Sequence, residues 1–181
     1  MSAFLRRQLT DYVEYHRDPM NCALHVAGIV ILFLGAILPL SLWPVTVFGL
    51  HANLGVLLAV PVLIYWIVLD VPIGLAIACA AALLLFTGAV IASHATVTAV
   101  WIIFAVLIVI GVALQIIGHQ VFERRQPALI DNPTHLLLGP VFVMAKLFIS
   151  LGFRDDLAAI IQQGPNSVYQ HQSQGGAQQD R

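Results

Sequence analysis

The chain has 181 residues, one domain's worth, yet 60% of them are hydrophobic and only 9% are charged, which lies outside the range of soluble globular proteins. A formal net charge of -1 at pH 7 supplies no basic field, and lysine and arginine nowhere interleave with aromatics as a nucleic-acid surface requires. A soluble domain and a nucleic-acid-binding protein are excluded, and an integral membrane protein remains.

In chain order, Leu5, Leu9, Tyr12, Val13 and His16 fall on one helical stripe within residues 4–16. The stripe predicts an amphipathic helix lying on the membrane, with His16 at its end. Arg6-Arg7 is not a twin-arginine signal, because Asp11 to His16 follows it in place of an apolar core. Asp18-Pro19 breaks this helix and starts the next, since proline disfavours helical geometry in the residue before it and suits a first turn. Between Asp18 and Glu123 the only charged residue is Asp70. Four spans are predicted there, at about 21–43, 53–69, 72–92 and 97–118, each near the roughly 20 residues that cross a bilayer. Trp43, Trp66 and Trp101 lie near their ends, where an indole N–H stays wet. The connections carry no lysine or arginine, whereas Arg6, Arg7, Arg17, Arg124 and Arg125 flank the first and fourth spans. The positive-inside rule then predicts a multi-pass protein of a bacterial-type inner membrane with N- and C-termini cytoplasmic.

Residues 124–133 read as a surface connection with two proline stops. Residues 135–151 are apolar but interrupted by Gly139-Pro140 and carry Lys146, which favours a re-entrant or interfacial helix over a fifth span that would put the C-terminus outside. From Gly164 the Gln-, Gly- and Ser-rich tail buries too little apolar surface to fold and is predicted to be disordered. The fold class is all-α: a polytopic membrane bundle of four transmembrane helices with an N-terminal amphipathic helix and a C-terminal re-entrant or interfacial helix. Residues 1–157 form a single membrane-embedded catalytic domain and 158–181 a polar tail. Cys22 and Cys79, isolated in separate apolar segments, read as buried, inert thiols. The oligomeric state is open, a homo-oligomer included.

An even number of spans puts the start of the first and the end of the fourth at one face, where His16, His25, His119 and Glu123 can converge. Asn21, His25 and Gly28 share one face of the first span. Gly111, Gln115, His119 and Glu123, at intervals of four, share one face of the fourth. Polar groups cost several kcal/mol in hydrocarbon unless satisfied, so these stripes should face each other. His51 and His94, in or beside the opposite-face loops, and His171 in the tail carry no such signal. Several imidazoles with a carboxylate suit a divalent first-row metal, and open positions point to non-haem Fe(II) chemistry with oxygen. Zinc fits the same ligand types. Asn21, Gln115, Asp131 and Asn132 are candidates for orienting the imidazoles. Two other readings are open. In one, a non-enzymatic transporter or assembly factor uses the stripes as packing seams. In the other, a haem lies between His25 and His119, which leaves His16 and Glu123 unexplained.

Two strings carry a resemblance: Tyr15-His16 with Asn21, His25 and Gly28, and Gln115-Ile116-Ile117-Gly118-His119 with Phe122-Glu123, Pro127-Ala128-Leu129, Asp131-Asn132 and Gly139-Pro140. They resemble the Mpo-like proteins, small membrane proteins of fungi and bacteria that include 2-hydroxy fatty acid dioxygenases, over roughly residues 4–157. The resemblance implies Fe(II)-dependent α-oxidation, in which a long-chain 2-hydroxy fatty acid reacts with O2 and becomes a fatty acid one carbon shorter; membrane lipid is a further expected partner of the embedded chain. Family histidines required for activity map onto His16, His25 and His119 as Fe(2+) ligands. A fourth ligand does not map; Glu123 or His135 are the candidates. Lys146 stands where family members usually have glutamate. Arg124, Arg125 or Lys146 could meet the substrate carboxylate, although the arginines also serve as topology determinants and Lys146 as a snorkelling side chain.

Overall fold

The computed structural model describes residues 3–13, 15–124 and 136–163. Helix α1 (Ala3–Val13) is followed by α2 (Pro19–Leu40). The Asp18 carboxylate caps α2 by accepting from the N–H groups of Met20 (2.8 Å) and Asn21 (3.0 Å), with Pro19 in the first turn. A short antiparallel hairpin, β1 (Pro44–Val47) and β2 (Leu50–Asn53), comes next. The all-α expectation did not include it. Its two-residue turn, Phe48-Gly49, has φ of 50° and 81°, the left-handed pair that matches strand twist.

Helices α3 (Leu54–Leu69) and α4 (Val71–His94) form a hairpin whose only connecting residue is Asp70. Asp70 is extended, ends α3 and caps α4 through the Ile73 N–H. The two helices lie so close here that a Cβ on Gly74 would collide with the Ile67 backbone. Helix α5 (Val97–Ile117), capped by Thr96, runs on without a break into a π-helical segment, Gly118–Glu123, which stops at Arg124 in left-handed geometry. After residues 125–135 come α6 (Leu138–Ser150) and α7 (Asp155–Gln163).

Among the described residues, three helices are long and apolar enough to cross a membrane: Pro19–Leu40, Val71–His94 and the continuous Val97–Glu123. Their outer faces expose Phe86, Val109 and Ile102, contiguous apolar surface of a kind that marks embedding in lipid. Helix α3 has 16 residues, about 24 Å at 1.5 Å per residue, somewhat less than a typical span. Helix α6 has 13, about 20 Å, too few for a crossing of its own.

The core sits at one end of the bundle. The stripe Leu5, Leu9, Tyr12 and Val13 of α1 is buried, packed in one cluster with Phe142 and Ala145 of α6, Leu157 and Ile160 of α7, and Ile73 and Ile77 of α4. Protein, rather than lipid, covers that face. Trp66 likewise departs from its expected wet position: it is buried and donates its N–H to the Leu137 carbonyl at 2.8 Å. Arg154 ties α7 to the α3–α4 turn through a bidentate pair with Asp70 at 2.9 and 3.0 Å. Cys22 is buried as expected, whereas Cys79 lies exposed on α4. The predicted tail from Gly164 lies outside the described residues.

Candidate metal centre

Three histidines from three parts of the chain meet at this end. His16 follows α1, whose turn is prolonged by Tyr15 and His16 N–H groups bonded to the Tyr12 and Val13 carbonyls. His25 sits in the second turn of α2, and His119 in the π-helical segment. Helices α2 and α5 can approach closely because Gly28 and Gly111 face each other. A Cβ on Gly28 would lie 3.2 Å from the Gly111 carbonyl, and one on Gly111 only 2.5 Å from Leu32 Cγ. The ring centroids are 4.3 Å apart for His16–His25, 4.9 Å for His16–His119 and 5.2 Å for His25–His119. One nitrogen from each ring falls within 4.8 Å of the others.

Tyr12 orients two of the rings. Its carbonyl oxygen lies 2.9 Å from His16 Nδ1, and a carbonyl only accepts, so Nδ1 carries the hydrogen and Nε2 keeps its lone pair. Its hydroxyl lies 2.9 Å from His25 Nε2, which leaves Nδ1. The Tyr12 ring stacks on His16 at 4.2 Å and leans on Phe142 at 5.1 Å. Burial, with Cys22 nearby, pushes the phenol above its usual range, so it stays protonated. His25 Nδ1 and His119 Nδ1 are buried and make no hydrogen bond among the described residues. Buried polar atoms are normally satisfied; two unsatisfied imidazole nitrogens beside a third imidazole are what a cation site requires, so this donor set fits a divalent metal.

Glu123 is placed differently from the histidines. Its carboxylate accepts from the backbone N–H of Arg17 (3.1 Å) and Asp18 (2.9 Å) and from Asn21 Nδ2 (3.1 Å). It therefore latches the end of α5 onto the start of α2. Asn21 also donates to the Tyr15 carbonyl at 3.0 Å, and Gln115 donates to the His25 carbonyl at 3.2 Å; both brace backbone and neither touches an imidazole through these bonds. Arg124 is exposed, and Lys146 lies over the Phe142 ring at 5.2 Å. His51 bonds Thr46 and His94 bonds Val90 and Ser93 at the other end of the bundle. Arg125, Asp131, Asn132, His135 and His171 lie outside the described residues. Tyr12 is the residue in contact with the histidines that sequence reasoning left unassigned; its place four residues before His16 on the same stripe was the available signal.

The histidines open onto a cavity of about 500 Å³. Apart from Tyr12, the histidines and Gln115 its wall is apolar, with Ile29, Phe33, Trp66 and Pro140 prominent.

Residues 2–151 match the family model described as 2-hydroxy-palmitic acid dioxygenase Mpo1-like. The chain is 35% identical over 160 residues to 2-hydroxy-palmitic acid dioxygenase MPO1 of Saccharomyces cerevisiae, covering 87% of each chain. No solved structure matches.

Proposed function

Because this chain belongs to the 2-hydroxy-palmitic acid dioxygenase Mpo1-like family, we propose that it is a membrane-embedded oxidoreductase that takes a long-chain 2-hydroxy fatty acid and O2 and releases a fatty acid one carbon shorter. His16, His25 and His119 would hold Fe(II). The observation that carries this reading is the three-histidine cluster at the head of an apolar cavity. Overall, the C1–C2 bond breaks, the carboxyl carbon leaves as CO2, the hydroxyl-bearing carbon becomes the new carboxyl carbon, and O2 takes up four electrons with one water formed.

Fe(II), when bound, supplies electrons and a place where O2 and a chelating hydroxy acid come together. The remaining work belongs to the protein. Tyr12 fixes the tautomer of His16 and the ring of His25, so that lone pairs are aimed before the ion arrives. Glu123 keeps α2 and α5, and hence His25 and His119, in register. The apolar wall takes the acyl chain and keeps bulk water from the reacting carbon.

The helix order supports four crossings, with α3 as the shortest. His16, Asp70 and Glu123 then lie at one face and the β-hairpin at the other. The positive-inside rule, applied to Arg6, Arg7, Arg17 and Arg124, supports a cytoplasmic histidine face. The test is metal analysis and turnover on anaerobically purified protein. About one iron per chain, lost in His119→Ala together with conversion of 2-hydroxypalmitate to a product one carbon shorter, supports the reading. Metal-free wild type with no turnover after Fe(II) loading would leave the histidines as a packing seam.

A further inference from the structure

A second cavity of about 260 Å³ shares six wall residues with the first: Ile29, Phe33, Ala36, Val62, Trp66 and Pro140. It continues away from the histidines between α2, α3 and α4, as far as Leu40, Gly55 and Leu85. Every side chain lining it is apolar except for the Trp66 N–H, and that is already spent on the Leu137 carbonyl. From His25 to Leu40 along α2 is 15 residues, about 22 Å at 1.5 Å per residue. An extended chain advances about 1.2 Å per bond, a third of the span of one extended residue, so this distance holds roughly 18 bonds.

Taking the histidine cluster as the seat of the hydroxy acid, as proposed above, we infer that the two cavities are one acyl-chain channel that measures substrate length. The head group lies at the histidines, the middle of the chain passes the seam between Phe33 and Trp66, and its end lies by Leu40, Gly55 and Leu85. Small residues keep the far half open: Ala59 on α3 and Ala80 and Ala81 on α4 line it. Each methylene kept out of an apolar site weakens binding about fourfold, so the far half sets the preference for long chains. The continuity with the histidines favours the substrate's own chain over that of a bilayer phospholipid, whose head group would have to sit among the imidazoles.

Two measurements test this. In the first, wild type and Ala81→Phe are assayed on 2-hydroxy acids of increasing length. The variant should process the shorter acids within about twofold of wild type and lose tenfold or more on the longest, as exclusion of two or more methylenes implies. An equal factor at every length would overturn the channel. The second needs no turnover. With Trp43→Phe and Trp101→Phe, Trp66 is the sole indole, and a 2-hydroxy acid brominated in mid-chain should quench it, with unlabelled 2-hydroxypalmitate relieving the quench. Absence of quenching, or equal quenching by brominated phospholipid, would overturn the channel even if the enzyme turns over. Specific quenching without any turnover leaves the channel standing and removes the dioxygenase reading instead.

Discussion

The Tyr12 hydroxyl and His25 Nε2 meet at 2.9 Å, joining a helix at the bundle's end to the first long apolar helix at the point where the candidate metal site lies. The same tyrosine holds His16 through its carbonyl at 2.9 Å, so a single residue sets two of the three imidazoles.

Tyr12→Phe removes only the first of these bonds. The His16 contact survives because it uses the backbone, and the aromatic packing on Phe142 is kept. Metal affinity should fall about 10- to 100-fold, the usual cost of losing a partner that orients a ligand, while folding stability changes by about 1 kcal/mol. Iron retention against a graded chelator checks the first figure, and thermal unfolding of chelated protein the second. Unchanged affinity would assign Tyr12 to packing alone.

Glu123→Gln tests the latch. The three donors facing the carboxylate come from Arg17, Asp18 and Asn21, and bonds to a charged acceptor contribute about 1.5–3 kcal/mol. An amide meets them with one oxygen and a competing NH2, so stability should drop by about 2 kcal/mol. The loss should already be present in the metal-free protein. A loss seen only in the metal-loaded protein would make Glu123 a ligand.

Much of this arrangement is legible in the residues. Asp18-Pro19 marks the start of α2, the absence of any charge but Asp70 from there to Glu123 marks the apolar helices, and the spacing of His25 from Asn21 and Gly28 gives its face. Glu123 shows where the pattern runs out. Intervals of four from Gly111 to Glu123 share a face only while the helix is α. From Gly118 it is π-helical, with i to i+5 bonding, so α-helical spacing no longer describes how Glu123 is placed relative to His119. No hydrophobic period announces that change. Trp66 is a second case: its partner is a carbonyl in Leu137, distant in sequence, and only the tertiary fold reveals it.

The Asp70–Arg154 pair should make the attachment of α7 pH-dependent. Burial raises the Asp70 carboxyl, but the guanidinium bonds and the Ile73 N–H outweigh it and hold it below its usual value. A carboxyl depressed in the folded state contributes stability above the unfolded pKa of about 3.9 and loses it as pH falls through the lower folded value. Protection of residues 151–163 from proteolysis should therefore be flat at neutral pH and collapse in strong acid. Arg154 also binds Asp156 at 2.9 and 3.0 Å and holds that carboxyl low, so Asp70→Asn should show weakened protection already at pH 7 with the acid step reduced, and the step should vanish only in Asp70→Asn with Asp156→Asn. An acid step of unchanged size in Asp70→Asn would place the titrating group elsewhere.

Gly118→Ala probes how tightly the site depends on the crossing of α2 and α5. A Cβ at Gly118 would collide with Asn21 Oδ1. A free side-chain tip could swing aside at little cost. Asn21 is not free, because its Nδ2 donates to both the Tyr15 carbonyl and Glu123. Relief of the clash must therefore either pull Asn21 off these partners or push apart the helices that carry His25 and His119. Overpacking of this kind costs about 1–3 kcal/mol. Iron retention should fall along with the unfolding temperature, and Asn21→Ala in the same chain should restore part of the lost retention by making room for the methyl group. If Gly118→Ala binds iron as wild type does, the helix crossing is looser than the packing at Asn21 indicates, and the site depends on Tyr12's hold on His16 and His25 more than on that crossing.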